Sequence, residues 1–186
     1  MLPNALSVLR LVLGLPIAWA ILQHATVLAL LLLVAACVTD VLDGWLARRY
    51  GWQTELGALL DPAADKILMG TTFMVLAWAG HVAVWLALLV VGRDLLIAGG
   101  ALVYRALHGP FRHAATRLGK ASTFVQMLLV VAVVAGLGLP APLERWTAMV
   151  AAMLTALVVF VALCSGIDYV WSWGRRAWRG ARTADR

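Results

Sequence analysis

Charge is what this chain lacks. Only 13% of its 186 residues are Asp, Glu, Lys or Arg, about half the share found in soluble domains. Hydrophobic residues make up 63%, and the mean hydropathy is +0.92. A soluble globular domain is excluded on those grounds, and apolar windows of bilayer-spanning length recur along the chain. Cysteine is nearly absent: Cys37 and Cys164 both lie inside apolar runs. They read as small buried hydrophobes, with neither disulfide nor metal-ligand spacing. No internal repeat or low-complexity segment is visible, and no cleavable leader stands out, because Pro3, Asn4, Ser7 and Arg10 interrupt the first apolar run. Acidic residues are the scarcest charge, nine in all, yet five of them fall between Thr39 and Lys66.

The apolar segments predict an all-α integral membrane protein of six transmembrane helices. They run over roughly Ala5–Gln23, Val27–Arg48, Leu56–Ala79, Val82–Leu107, Leu118–Leu137 and Leu143–Trp171. Short turns at "QHAT" and "AGH", a basic break at "HGPFRHAATR" and a Gly/Pro-rich break at "GLGLPAP" separate them. The opening "MLPNALSVLRLV" is mildly amphipathic and is expected as a juxtamembrane segment before helix one. Residues 1–171 form the membrane domain, and 172–186 a basic, Trp-containing cytoplasmic tail.

The net charge of +6 comes almost wholly from arginine. Arg10, Arg48, Arg49, Arg105, Arg112, Arg117, Lys120 and the tail arginines fall on one side of the predicted topology, and Arg145 on the other. The positive-inside rule then puts both termini in the cytoplasm. Interleaved with Trp171, Trp173 and Trp178, the tail arginines suit anionic lipid headgroups rather than nucleic acid.

The acids carry the chemistry. Asp40 and Asp43 are three apart, and Asp61 and Asp65 four apart, so each pair shares a helix face. Two antiparallel neighbours would bring four carboxylates together just inside the cytoplasmic surface. Burial penalises so much like charge unless it is neutralised. Hard divalent cations prefer carboxylate oxygen, and two such ions would balance four charges in an arrangement suited to phosphoryl chemistry. Gly44, Gly57 and Ala47 keep the acidic faces small enough for a substrate, and Arg48 is placed to grip a phosphate. Pairing with Arg48, Arg49 and Lys66 alone would account for one or two of these acids, not four.

From Asp40 to Asp65 the chain reads D-x2-D-G-x2-A-R-x8-G-x3-D-x3-D. This pattern resembles the signature of the CDP-alcohol phosphatidyltransferases, and "PNALSVLR" is similar to that family's common start, with Ser7 in place of its usual Thr. The resemblance implies transfer of a substituted phosphate from CDP-diacylglycerol to an alcohol, with release of CMP. It implies two Mg²⁺ or Mn²⁺ ions on Asp40, Asp43 and Asp61. Asp65 is the implied general base and a further metal contact. Asn4, Gly44, Ala47, Arg48 and Gly57 fall at positions that receive the CDP group. A homodimer in a bacterial inner membrane, active at its cytoplasmic face, is also implied. Glu55 falls in the variable spacer and is read as a loop residue.

The acceptor is less determined. Arg93, Arg112 and Lys120 are candidates for an acceptor phosphate, with His113 and Arg117 nearby. Arg93 has an equal alternative as an ion pair with Asp94 or a motif aspartate, and the others as a basic cytoplasmic loop. Ser122, Thr123 and Gln126 are placed to face the cavity. "GRD" and "GKASTFVQM" look similar to the branch that uses phosphatidylglycerol and makes cardiolipin. The alternative is glycerol 3-phosphate, giving phosphatidylglycerophosphate. A divalent-cation transporter is the rival from another class, but its site would be expected near the midplane on broken helices. A catalytically dead lipid scaffold is a second rival, against which the complete motif argues.

Overall fold

Three tight turns gather at one end of the molecule and fix its topology. A computed structural model describes residues 2–50, 55–108 and 117–184. Six helices account for nearly all of them: α1 (Leu2–Leu22), α2 (Thr26–Tyr50), α3 (Glu55–Trp78), α4 (Val84–His108), α5 (Arg117–Gly136) and α6 (Ala141–Ala184). No strand occurs among the described residues.

The first two turns stop their helices in the same way. After α1, His24 takes a left-handed conformation (φ 54°), its N–H bonding Ile21 O and the next N–H reaching back to Ala20 O. After α3, Gly80 (φ 78°) does the same, with its own N–H on Ala77 O and that of His81 on Leu76 O. Glycine adopts this geometry freely, whereas histidine pays a small steric cost for it. The two turns touch, His24 and His81 lying edge-on with ring centroids 6.2 Å apart. The α5–α6 turn joins them at Gly138, where an added Cβ would lie 3.1 Å from a Thr26 methyl. We refer to this as the turn end; the acidic motif lies toward the other.

α1 packs chiefly on α2 and α3, α5 on α6, and α4 on α3 and α6. The core they enclose is apolar and lies toward the turn end, with Ile17, Phe73, Leu76, Ala87 and Val134 all fully buried. The outside is apolar too. Leu15, Leu95, Phe160 and Ile167 are each about two-thirds exposed or more, a pattern that suits lipid rather than water. Leu118–Gly136 and Leu143–Tyr169 are each long and apolar enough to cross a membrane; Val8–Leu22 and Thr26–Thr39 are shorter apolar stretches. Exposed tryptophans ring the turn end: Trp19, Trp78, Trp85 and Trp146 all lie within a turn or two of a helix terminus there. Exposed Trp171 lies 25 residues after Trp146 on α6, about 38 Å away at 1.5 Å per residue. That spacing matches the distance between the two interfaces of a bilayer, where tryptophan concentrates.

Two expectations change. The N-terminal segment is not separate from helix one: α1 is unbroken from Leu2, continuing through Pro16. The tail likewise continues α6 as helix as far as Ala184, because its alternating Arg, Ala and Trp residues are compatible with helix despite Gly174 and Gly180.

Candidate active site

α2 carries Asp40, Asp43, Gly44, Ala47 and Arg48 in its second half, and α3 carries Gly57, Asp61 and Asp65 in its first. Asn4 lies in the first turn of α1. Of these residues only Asp65 has a described side chain; those of the others lie outside the described set, as do Arg112 and His113 altogether.

Asp65 is half-buried and borders a small internal cavity of about 20 Å³ between α1, α2, α3 and α5. Arg10 borders it as well. They are the charged groups among its described lining, against walls that include Leu33, Ala36, Met69 and Val130. Arg10 is 1% exposed. The sequence counts it with the basic loop residues of one side; the structure has it within α1 and buried in the bundle. The reason is that α1 starts at Leu2, which puts residue 10 in its third turn on the face packed against α2 and α3.

A second polar group lies at a similar depth, across α3. Lys66 Nζ is 2.8 Å from Asp94 Oδ1, and Arg93 Nη1 donates to the same oxygen. Arg93 then reaches α6, donating from Nε (3.0 Å) and Nη2 (2.8 Å) to Ser165 Oγ. The Ser165 hydroxyl itself donates to Ala162 O at 3.1 Å. This chain ties α3, α4 and α6 together. The Arg93 and Asp94 side chains are only 7% and 13% exposed. Arg93 thus makes the ion pair with Asp94 that was one of its two alternatives, and its fork is engaged by protein groups. Lys120 is exposed on α5. Further along that helix, Gln126 Nε2 donates to Ser122 Oγ at 3.2 Å, and both residues are buried.

An open groove of about 800 Å³ runs between α3 and α4, lined by Lys66, Gly70, Met74, Trp78 and Asp94 among others. At about 100° per residue, the stripe Ile67–Gly70–Met74 is about 180° around α3 from Asp65. Asp65 and the groove therefore belong to opposite faces of the helix.

No cluster of three or more metal-ligating groups occurs among the described residues, the side chains of Asp40, Asp43 and Asp61 being outside them. The donor set is judged on its chemistry. Two acids on α2 and two on α3 supply only oxygen donors, which fits hard divalent ions and not softer ones. Sequence reasoning noted Arg10, as the last residue of "PNALSVLR", but missed its burial beside Asp65, and it missed Ser165 altogether. The signal for Arg10 was available: once the helix start is moved to Leu2, its position falls on a packed face. Ser165 carries no local signal, since its partner is 72 positions away.

A model of the CDP-alcohol phosphatidyltransferase family matches residues 1–163. A Mycobacterium tuberculosis protein named "Probable phosphatidylglycerophosphate synthase" is 34% identical over 176 residues, covering 91% of this chain and 79% of the relative. A cardiolipin synthase (CMP-forming) of Streptomyces coelicolor is 38% identical over 130 residues, 66% of this chain and 60% of that one. The human cardiolipin synthase (CMP-forming) is 29% identical over 192 residues, 94% and 62% respectively.

Proposed function

Because the chain belongs to the CDP-alcohol phosphatidyltransferase family, we propose that it transfers a phosphatidyl group from CDP-diacylglycerol to phosphatidylglycerol, releasing CMP and forming cardiolipin. The enzyme class is that of the family, a transferase of phospholipid biosynthesis. The observation that carries the reading is the placement of the four motif aspartates on two helices, with Asp65 facing the bundle interior at the level of a buried arginine.

In this reading Asp40, Asp43 and Asp61, with Asp65 at the margin, hold two divalent ions, Mg²⁺ or Mn²⁺. Those ions supply charge neutralisation for the two phosphates of the donor. The acceptor hydroxyl is neutral and a weak nucleophile. Asp65 takes its proton as its oxygen bonds to the phosphorus of the phosphatidyl group. The bond from that phosphorus to the CMP oxygen breaks, and CMP leaves as an anion. Gly44, Ala47 and Gly57 leave room for the donor's CDP group, with Asn4 and Arg48 contacting it. Arg112 and Lys120 remain candidates for the acceptor phosphate. Arg93 is a weaker one, since its fork is already engaged by Asp94 and Ser165.

Donor and acceptor lipids keep their chains in the bilayer, so the active site opens at the membrane surface. The positive-inside count supports a cytoplasmic active site with both termini inside and contact with anionic lipids; six spans rest on the apolar length of the helices, and a homodimer in a bacterial inner membrane on what the family resemblance implies. Glycerol 3-phosphate is the second acceptor reading, favoured by the M. tuberculosis relative, whose match covers 91% of this chain.

The test is CMP release by the purified protein in mixed micelles with CDP-diacylglycerol and Mg²⁺ or Mn²⁺, offered either acceptor. Release with phosphatidylglycerol supports the proposal. Release only with glycerol 3-phosphate moves the acceptor, and the absence of release with any alcohol refutes the transferase reading. Asp65→Asn should lose nearly all turnover.

A further inference from the structure

We propose that Arg10 is a positioning residue for Asp65, holding the carboxylate from its protein side in the orientation that meets the acceptor hydroxyl. The inference rests on the reading of Asp65 as the base and goes beyond it to a residue outside the acidic motif.

Three observations support it. Arg10 is 1% exposed, and among the described residues it and Asp65 are the charged groups lining one cavity, beside largely apolar neighbours. The two residues also lie at one level: Arg10 is 12 positions before the end of α1 and Asp65 13 before the end of α3, about 18 and 20 Å from the turn end. Third, the cavity's volume of about 20 Å³ is room for a single water, not for a sugar, glycerol or phosphate group. A substrate reaches Asp65 from elsewhere, and Arg10 acts on the reaction through Asp65.

Stability does not explain the arginine. A buried charge is commonly matched or bettered by apolar side chains of similar volume, and among the described residues lining this cavity all but Arg10, Asp65 and Cys37 are apolar. A guanidinium is also a rigid planar group that sets the direction of a nearby carboxylate better than a flexible lysine does; Nε and Nη1 of Arg10 are buried and make no hydrogen bond, so the interaction is electrostatic rather than a two-pronged grip. Asp65 needs a fixed direction because proton transfer demands hydrogen-bond reach to the acceptor hydroxyl, and small misplacements of a reacting group are costly in rate.

The test is a double-mutant cycle in kcat, with thermal unfolding in detergent measured on every variant. Arg10→Met should lower kcat about 100-fold, with KM for both substrates changed less than about 2-fold. Arg10→Lys should lower it about 10-fold, since charge is kept and the rigid planar group lost. On an Asp65→Asn background neither substitution should slow the residual reaction further, because there is no carboxylate left to orient. If Arg10→Met fails to fold, the Arg10→Lys arm carries the cycle alone. Wild-type kcat in Arg10→Lys and in any folded Arg10→Met protein would overturn the proposal. So would losses that multiply with Asp65→Asn, which would give Arg10 a role of its own. Full activity in Asp65→Asn alone removes the base reading instead and is recognised as such, since it appears before Arg10 is touched.

Discussion

Ser165→Ala isolates the link between α6 and the polar chain. The hydroxyl accepts two N–H bonds from Arg93, at 3.0 and 2.8 Å, from a side chain only 7% exposed. Interhelical hydrogen bonds inside membranes contribute about 0.6 kcal/mol on average and up to about 1.7, because the membrane-embedded unfolded state also finds partners. A charged, buried donor belongs at the upper end of that range. Two bonds on one oxygen then give about 2–3 kcal/mol. Alanine's better helix propensity returns about 0.5 kcal/mol, leaving a net loss of about 2 kcal/mol. The assay is equilibrium unfolding in mixed micelles across a series of SDS mole fractions. Thr155→Ala is the control: its half-buried hydroxyl bonds only Ala151 O, one turn back on the same helix, at 2.8 Å. That change should cost no more than about 0.5 kcal/mol. If Ser165→Ala costs no more than the control, Arg93 is not anchored by α6 and the three-helix tie is refuted.

Chelation with EDTA should abolish CMP release, and added Mg²⁺ or Mn²⁺ should restore it; undiminished release would remove the metal assignment. Tyr169→Phe should cost about 1 kcal/mol in the same unfolding assay through loss of the 2.9 Å bond to Ile97 O. A Cβ on Gly100 would lie 2.7 Å from that hydroxyl, so on a Gly100→Ala background the Phe substitution should cost almost nothing. Neighbouring Gly99 faces open space, and Gly99→Ala should stabilise by about 0.5–1 kcal/mol. In vesicles, a Trp78-only variant should be quenched more strongly by lipids brominated near the headgroup than near the chain ends, given its 87% exposure at a helix terminus; the reverse order would contradict the aromatic ring.

Helix number and order were legible because apolar length and turn residues report them directly. The Gly80 turn is a local signal, and the structure places its stop where the sequence does. The His24 turn was legible only as a polar break, since histidine does not advertise a left-handed conformation. The acidic motif was legible through its spacing as two pairs on two helices, and the structure puts those pairs on α2 and α3. Two features resisted for different reasons. Arg10 was misread because counting loop charges assumes that an arginine near a terminus is in a loop, and here helix began earlier. Arg93 and Asp94 are adjacent, a spacing that does not normally bring side chains together on a helix. Their contact depends on Ser165 and Lys66 holding them from either side, which only the tertiary arrangement supplies.

The dry layer between Asp65 and the turn end has an electrical consequence. Ile17, Phe73, Leu76 and Val134 fill it, over about 20 Å. A membrane voltage falls mainly across such low-dielectric material, at about 2.3 kcal/mol per elementary charge for each 100 mV crossed. In the proposed reading, metal ions and nucleotides would reach the aspartates from the motif end and traverse little of that drop. Turnover should therefore be nearly indifferent to membrane potential, and the same plug keeps a site lined with acids from becoming a path for protons.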